Sequence, residues 1–178
     1  MYQLKRTVAL IGMMGAGKSS VGRRLAARLA VPFRDADTEI EAAAGCTVAE
    51  IFERFGEQNF RDGERRVIAR LLGQPPHVLA TGGGAFIDPR TRADIKAQAV
   101  SIWLRAPVAL LANRVQRRET RPLLKQGDPK EILARLLTER EPIYAEADIQ
   151  LDSEEGPHSV VVERIIAVLG ERGLLEQA

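Results

Sequence analysis

An α/β fold, with a parallel sheet sandwiched between helices, is predicted by three features of the sequence. Short, nearly all-apolar segments, notably residues 78–81 and 99–104, read as strands covered on both faces. Segments with helical spacing of apolar residues follow both, and alternation of strand and helix places parallel strands between helical layers. The chain has 178 residues, 45% apolar and 28% charged, which suits one soluble domain on a prior of about 150 residues per domain. A domain of this size needs no staple, since it buries roughly 70% of its unfolded surface. Cys46 is the lone cysteine and there are two histidines, which excludes an internal disulfide and the usual zinc cages.

Residues 7–11 form a β-branched apolar run closed by Gly12, and residues 19–30 carry Val21, Leu25 and Leu29 at helical spacing: strand, glycine loop, helix. Pro32 ends that pattern before an extended segment, 33–37. Thr38 with Glu41, and Thr47 with Glu50, have the spacing of capping boxes, and Gly45 supplies a helix stop between them. A helix over residues 57–72 has Phe60, Glu64, Val67, Ile68 and Leu71 on one side and ends at Gly73. Asp88-Pro89 and Asp128-Pro129 each pair a capping acid with proline at the first helical position, and Pro107 opens the run Val108, Leu111, Val115. Residues 148–151 give a last strand and 160–169 a last helix. No repeat, low-complexity tract or linker divides the sequence, so one domain over 1–178 is expected.

The 26 basic and 24 acidic residues leave a net charge of +2, too little for a nucleic-acid footprint. The apolar run 8–14 is short, contains Gly12 and leads to Lys18, so neither a signal peptide nor a membrane span is expected. The expectation is a cytoplasmic monomer with no nucleic-acid or membrane partner.

Gly12-Met13-Met14-Gly15-Ala16-Gly17-Lys18-Ser19 fits G-x-x-x-x-G-K-[ST] in the strand-to-helix setting that motif requires. In such a loop the main-chain N–H groups and the positive end of the following helix face phosphate oxygens. Lys18 would reach the β and γ phosphates and Ser19 would hold Mg²⁺. An ordinary glycine turn is the competing reading, and the setting disfavours it. Asp35 and Asp37 stand two apart on an extended segment, which directs both carboxylates one way beyond a strand end. One would order magnesium-bound water while the other accepts a hydrogen bond from an attacking hydroxyl. Equally, Asp37 would merely cap the helix starting near Thr38, and spacing alone leaves both readings open.

The glycine loop, Phe33-Arg34-Asp35-Ala36-Asp37, Gly45 with Glu50-Ile51-Phe52, Gly56-Glu57 with Phe60-Arg61 and Glu64, Gly82-Gly83-Gly84, Arg121-Pro122-Leu123-Leu124, and Arg140 with Tyr144 and Ala147-Asp148 together resemble the shikimate kinase family, in its order and over most of the chain. The resemblance implies a three-layer, nucleoside-monophosphate-kinase-like fold with five parallel strands. It also implies transfer of the ATP γ-phosphate to the 3-hydroxyl of shikimate, in chorismate and aromatic amino-acid biosynthesis. Carried over residue by residue, Lys18, Asp37 and Arg121 would be catalytic. Gly12, Met13, Met14, Gly15, Ala16, Gly17, Lys18, Ser19 and Ser20 would bind ATP with Arg121, while Arg114 and Pro157 flank adenine. Asp37, Arg61, Gly83 and Arg140 would bind shikimate, and Ser19 and Asp35 would serve Mg²⁺. A substrate-binding helical region over about 38–72 and a lid over about 117–127, carrying Arg121, complete the expectation. The tail after Leu169 has no counterpart.

The residues have their own logic beside that resemblance. Arg61 falls between Glu57 and Glu64 at helical spacing, and alone reads as a surface charge ladder. Arg140 continues the stripe Leu133, Leu136, Leu137, where an apolar residue is expected, and an arginine there calls for an anion or snorkels to water. Two guanidinium groups converging on a carboxylate would supply charge and orientation. Gly82-Gly83-Gly84 either makes a tight turn or lets a substrate press against the backbone. Arg117, Arg118, Arg121 and Lys125 against Glu119 make a basic lid or a solvated loop, without the aromatics that RNA stacking needs. Met13, Met14, Trp103 and Cys46 read as packing residues. The rival functions are another small-molecule kinase, for gluconate or a nucleoside monophosphate, and a nucleotide-binding regulator without catalysis.

Overall fold

The computed structural model describes residues 1–116, 127–153 and 156–178; Arg121 and all of the expected lid except Gly127 lie outside the described residues. After a short strand, β1 (Tyr2–Leu4), come β2 (Thr7–Ile11), β3 (Phe33–Asp35), β4 (Val78–Ala80), β5 (Ala99–Arg105) and β6 (Ile149–Asp152). These last five form one sheet in the order β3-β4-β2-β5-β6, every pair parallel. Val8 stands opposite both Val78 and Val100, so β2 is the central strand. All of β2 and β4 and all but the last residue of β5 are buried. Burial of successive residues means that both faces of the sheet are covered, as the continuous apolar runs require.

The cover comes from α1 (Lys18–Leu29), α2 (Ala36–Ala44), α3 (Val48–Leu72), α4 (Pro89–Gln98), α5 (Val108–Gln116), α6 (Pro129–Tyr144) and α7 (His158–Glu171). Helix α1 packs on α7 and on β3 and β4, α4 packs on α3 and β5, and α5 packs on α6. Trp103 is core, and Cys46 packs against it half-buried. Both Asp-Pro pairs cap as expected: Asp88 accepts N–H groups from Arg90 and Thr91, and Asp128 from Lys130. Thr47 and Glu50 close their capping box at 3.1 and 2.9 Å. Inside α3, Gly56 adopts φ 82°, ψ 171°, a left-handed setting that a side chain resists; regular helix resumes at Glu57, where periodicity placed its start.

Two expectations fail between β3 and α3. Segment 33–37 is not extended throughout: β3 ends at Asp35 and α2 begins at Ala36, so the strand alternation relating Asp35 to Asp37 does not apply. The Asp35 carboxylate caps α2, accepting N–H groups of Asp37 and Thr38 at 3.0 and 3.3 Å. A carboxylate at that place satisfies two orphan donors and meets the positive end of the helix, so Asp35 is the cap and neither Asp37 nor Thr38 is. Consequently the Thr38–Glu41 box does not form, and Glu41 instead accepts the Val48 N–H at 3.0 Å, tying α2 to α3. The chain ends meet in a separate two-stranded antiparallel sheet, where Leu4 of β1 stands opposite Leu175 of β7 (Leu175–Gln177). Three-residue strands paired across the whole chain leave no local periodicity to read.

Gly22 of α1 yields a test of this packing. A methyl group there would lie 2.6 Å from Phe33 Cε2 and 3.3 Å from Leu10 Cδ1. Helix propensity favours alanine by about 0.5–1 kcal/mol, whereas overpacking costs about 1–3 kcal/mol. Gly22→Ala should therefore lower Tm by about 2–6 °C in calorimetry; an equal or higher Tm would mean that the Phe33 ring yields freely.

Candidate active site

The central strand β2 ends at Ile11, and its carboxyl end opens into the glycine loop, whose last glycine, Gly17, precedes α1. Lys18 is 8% exposed, and its ammonium donates to the carbonyls of Gly12 at 2.5 Å and Met13 at 3.0 Å. Those acceptors hold a buried cation across the loop. Met13, Met14 and Ala16 have buried side chains, so only their main chain can meet a ligand at the loop. Ser20 lies half-buried in the first turn of α1. Arg114 donates to the Gly15 carbonyl at 3.1 Å, while exposed Pro157 precedes α7.

Ser19 donates its hydroxyl hydrogen bond to Asp35 at 2.6 Å. The pair offers two hard oxygen donors, and no cluster of three or more His, Cys, Asp or Glu suited to a metal occurs among the described residues. Such a set fits Mg²⁺, which takes its remaining ligands from water and phosphate.

Gly82-Gly83-Gly84 follows β4, and each glycine faces charged side chains brought from other elements. A methyl group on Gly82 would sit 3.1 Å from Asp37 Oδ1 and 3.2 Å from Glu64 Oε2; one on Gly83 would sit 3.4 Å from Arg140 Nη1 and from the Met14 nitrogen. At Gly84 the same methyl would lie 2.6 Å from Arg61 Cζ, inside any allowed contact. Asp37, Arg61, Gly83 and Arg140 are thus brought together, with the glycine loop alongside. Arg140 Nη1 lies 3.9 Å from Met13 Sδ, and among the described residues Arg140 makes no ion pair with a carboxylate. One turn further along α6, the Tyr144 hydroxyl donates to the Gly83 carbonyl.

The sequence did not single out Glu64 as a site residue, though an acid inside the apolar stripe of α3 was its signal. Glu64 is 1% exposed and accepts from Arg61 Nη1 at 2.8 Å, while its Oε2 has no hydrogen-bond partner among the described residues. Burial pushes the Glu64 carboxyl above its ordinary value; Arg61 opposes this and the nearby Asp37 charge adds to it. His158, also missed, lies beside the loop, with its Cε1 3.1 Å from a methyl on Gly17. Burial, then the Arg114 and Arg24 charges, lowers its pKa. Its place depends on α7 packing on α1, which no local pattern announces.

The family model described as shikimate kinase matches residues 14–170. The chain belongs to the shikimate kinase family. Across the family, a shikimate kinase from Bradyrhizobium diazoefficiens is 59% identical over 97% of this chain and 84% of its own length. One from Paramagnetospirillum magneticum is 60% identical over 90% and 83%. The structure of the shikimate kinase from Acinetobacter baumannii in complex with shikimate has a TM-score of 0.92 at 37% identity, covering 95% of each chain. A gluconokinase from Sinorhizobium meliloti shares the fold at 18% identity, with a TM-score of 0.65 over 95% of this chain and 94% of its own. No helix among the described residues is long and apolar enough to cross a membrane.

Burial of Glu64 has a measurable pH signature. Its folded-state pKa is raised, so the folded protein binds the proton more tightly than the unfolded chain; that contribution is complete below the ordinary value of 4.5 and lost as pH rises through the raised value. Wild type should therefore lose stability relative to Glu64→Gln as pH climbs above 4.5, read from urea midpoints at successive pH values. Parallel pH curves for the two proteins would contradict a raised Glu64 pKa.

Proposed function

We propose that this protein transfers the γ-phosphoryl group of ATP to the 3-hydroxyl of shikimate, giving shikimate 3-phosphate and ADP on the cytoplasmic route to chorismate and the aromatic amino acids. The observation that carries the reading is Arg140: a half-buried cation with no carboxylate partner among the described residues, beside Arg61, Asp37 and the glycine turn. Two guanidinium groups suit a substrate carboxylate, and the turn leaves room for a hydroxyl-bearing ring to approach the main chain of Gly83. The names of the relatives and the shikimate-bound neighbour support the same substrate.

These placements support the following chemistry. Asp37 accepts the proton of the 3-hydroxyl as its oxygen forms the new bond to γ-phosphorus, while the bond to the β–γ bridging oxygen breaks and the electron pair leaves with ADP. Lys18 holds the β and γ phosphates, the main chain from Gly12 to Ser20 cradles the triphosphate, and Arg114 and Pro157 flank the adenine. Ser19 and Asp35 would hold Mg²⁺, which when bound would offset phosphate charge. Arg121, proposed to act on the transferring phosphate, and the proposed lid over 117–127, apart from Gly127, lie outside the described residues. Residues 1–178 act as one domain and a monomer suffices, with α2 and α3 as the substrate-binding region.

ADP release with shikimate, gluconate, nucleoside monophosphates and no acceptor tests the proposal: only shikimate should stimulate release. The shared fold of a gluconokinase makes gluconate the sharpest control.

Two variants probe the roles. Asp37→Asn keeps the shape and removes the base, so kcat should fall about 10²- to 10⁴-fold with ATP affinity kept; unchanged turnover would exclude Asp37 as the base. Arg140→Ala should lower kcat/KM for shikimate by more than about tenfold, the scale of a charge-assisted contact. The variant should also discriminate less than wild type against an analogue lacking the carboxylate; equal discrimination would place that carboxylate elsewhere.

A further inference from the structure

We infer that Tyr144 is a positioning residue that fixes the Gly83 main chain for shikimate through its phenolic hydroxyl, an inference that rests on the proposed placement of shikimate against Gly83 and Arg140. Four observations carry it. Tyr144 is fully buried, and its hydroxyl donates to the Gly83 carbonyl, 61 residues earlier in the chain. The same hydroxyl lies 3.7 Å from Met13 Sδ, and Met13 belongs to the phosphate loop. Arg140 approaches that sulfur from the preceding turn of α6, at 3.9 Å. The Tyr144 ring packs on Trp103 of β5, with centroids 5.6 Å apart, so the hydroxyl is aimed from the sheet.

The physical argument is about a turn without side chains. Three consecutive glycines have more accessible backbone conformations than any other tripeptide, and nothing on the glycines themselves selects one. A carbonyl anchored by a buried donor fixes the peptide plane between Gly83 and Gly84, and with it the direction of the Gly84 N–H. The phenol is protonated at neutral pH and able to donate, and burial raises its pKa further from neutrality. The hydroxyl donates to the Gly83 carbonyl and acts through that turn, so its effect should appear in shikimate binding and not in the chemical step.

Tyr144→Phe separates this role from packing, because it removes one oxygen and keeps the ring against Trp103. Calorimetric titration with shikimate and steady-state kinetics should show Kd and KM for shikimate raised about threefold to tenfold, the scale of one hydrogen bond. The kcat should stay within about twofold and KM for ATP should not move, the pattern of lost ground-state positioning. Tyr144→Leu removes ring and hydroxyl together and should also lower Tm, whereas Tyr144→Phe should hold Tm within a few degrees. A Tyr144→Phe protein with wild-type shikimate affinity would overturn the inference, as would equal rises in both KM values. Failure of the wild-type protein to bind shikimate at all would overturn the proposed function, and this inference with it.

Discussion

The Asp35 carboxylate is shared by two helices, and the arrangement of the site depends on that sharing. One oxygen caps α2 through the N–H groups of Asp37 and Thr38, and the other accepts the Ser19 hydroxyl at the start of α1. The end of β3, the start of α2 and the start of α1 are therefore registered to one side chain. Because α2 carries Asp37 in its first turn and α1 begins at Lys18, the same carboxylate sets the relation between the acid and the phosphate loop. A cap is worth about 0.5–2 kcal/mol, a modest share of a total of about 5–15 kcal/mol. Geometry is accordingly the larger stake: a shift of about 1 Å in a reacting group can cost about 10²-fold in rate.

A second constraint is electrostatic. Glu64 gives up water for one ion pair with Arg61 and keeps an oxygen without a hydrogen-bond partner among the described residues. The desolvation of such a pair is commonly not recovered by its attraction, so stability alone gives little reason for it. What the pair does supply is orientation: Arg61 is held with its guanidinium against Gly84, where any side chain on the glycine would displace it. The glycine turn and the charged residues explain one another, since the turn has no side chains so that these groups can reach its backbone.

Local chemistry was legible in the sequence and long-range geometry was not. The phosphate loop, the Asp-Pro caps and the Thr47–Glu50 box each follow from a handful of adjacent residues whose backbone preferences dominate. The Asp35 cap is hidden in the sequence because Thr38-Glu41 has the pattern of a box, and nothing local says that a carboxylate three residues earlier will take the N–H groups first. Arg140 stood out because it interrupts an apolar stripe. Tyr144 did not, because a tyrosine in such a stripe is ordinary and its significance lies in a carbonyl 61 residues away. His158, and the β1–β7 pairing, share that reason: the partner is distant, and periodicity carries no information about it.

Where α6 is held also matters. Helix α6 starts at Pro129, near the segment proposed as a lid, yet Arg140 and Tyr144 sit at its opposite end. There, Tyr144 packs on Trp103, and Asp148 accepts both the N–H and the hydroxyl of Ser101, at 2.9 and 3.1 Å. Ser101 and Trp103 are both on β5, the neighbour of the central strand. Arg140 and Tyr144 are four residues apart and so share a face, and the packing of Tyr144 on Trp103 ties that face to β5. The proposed acceptor site is thereby tied to the sheet at the end of α6, by contacts that do not involve the start of the helix.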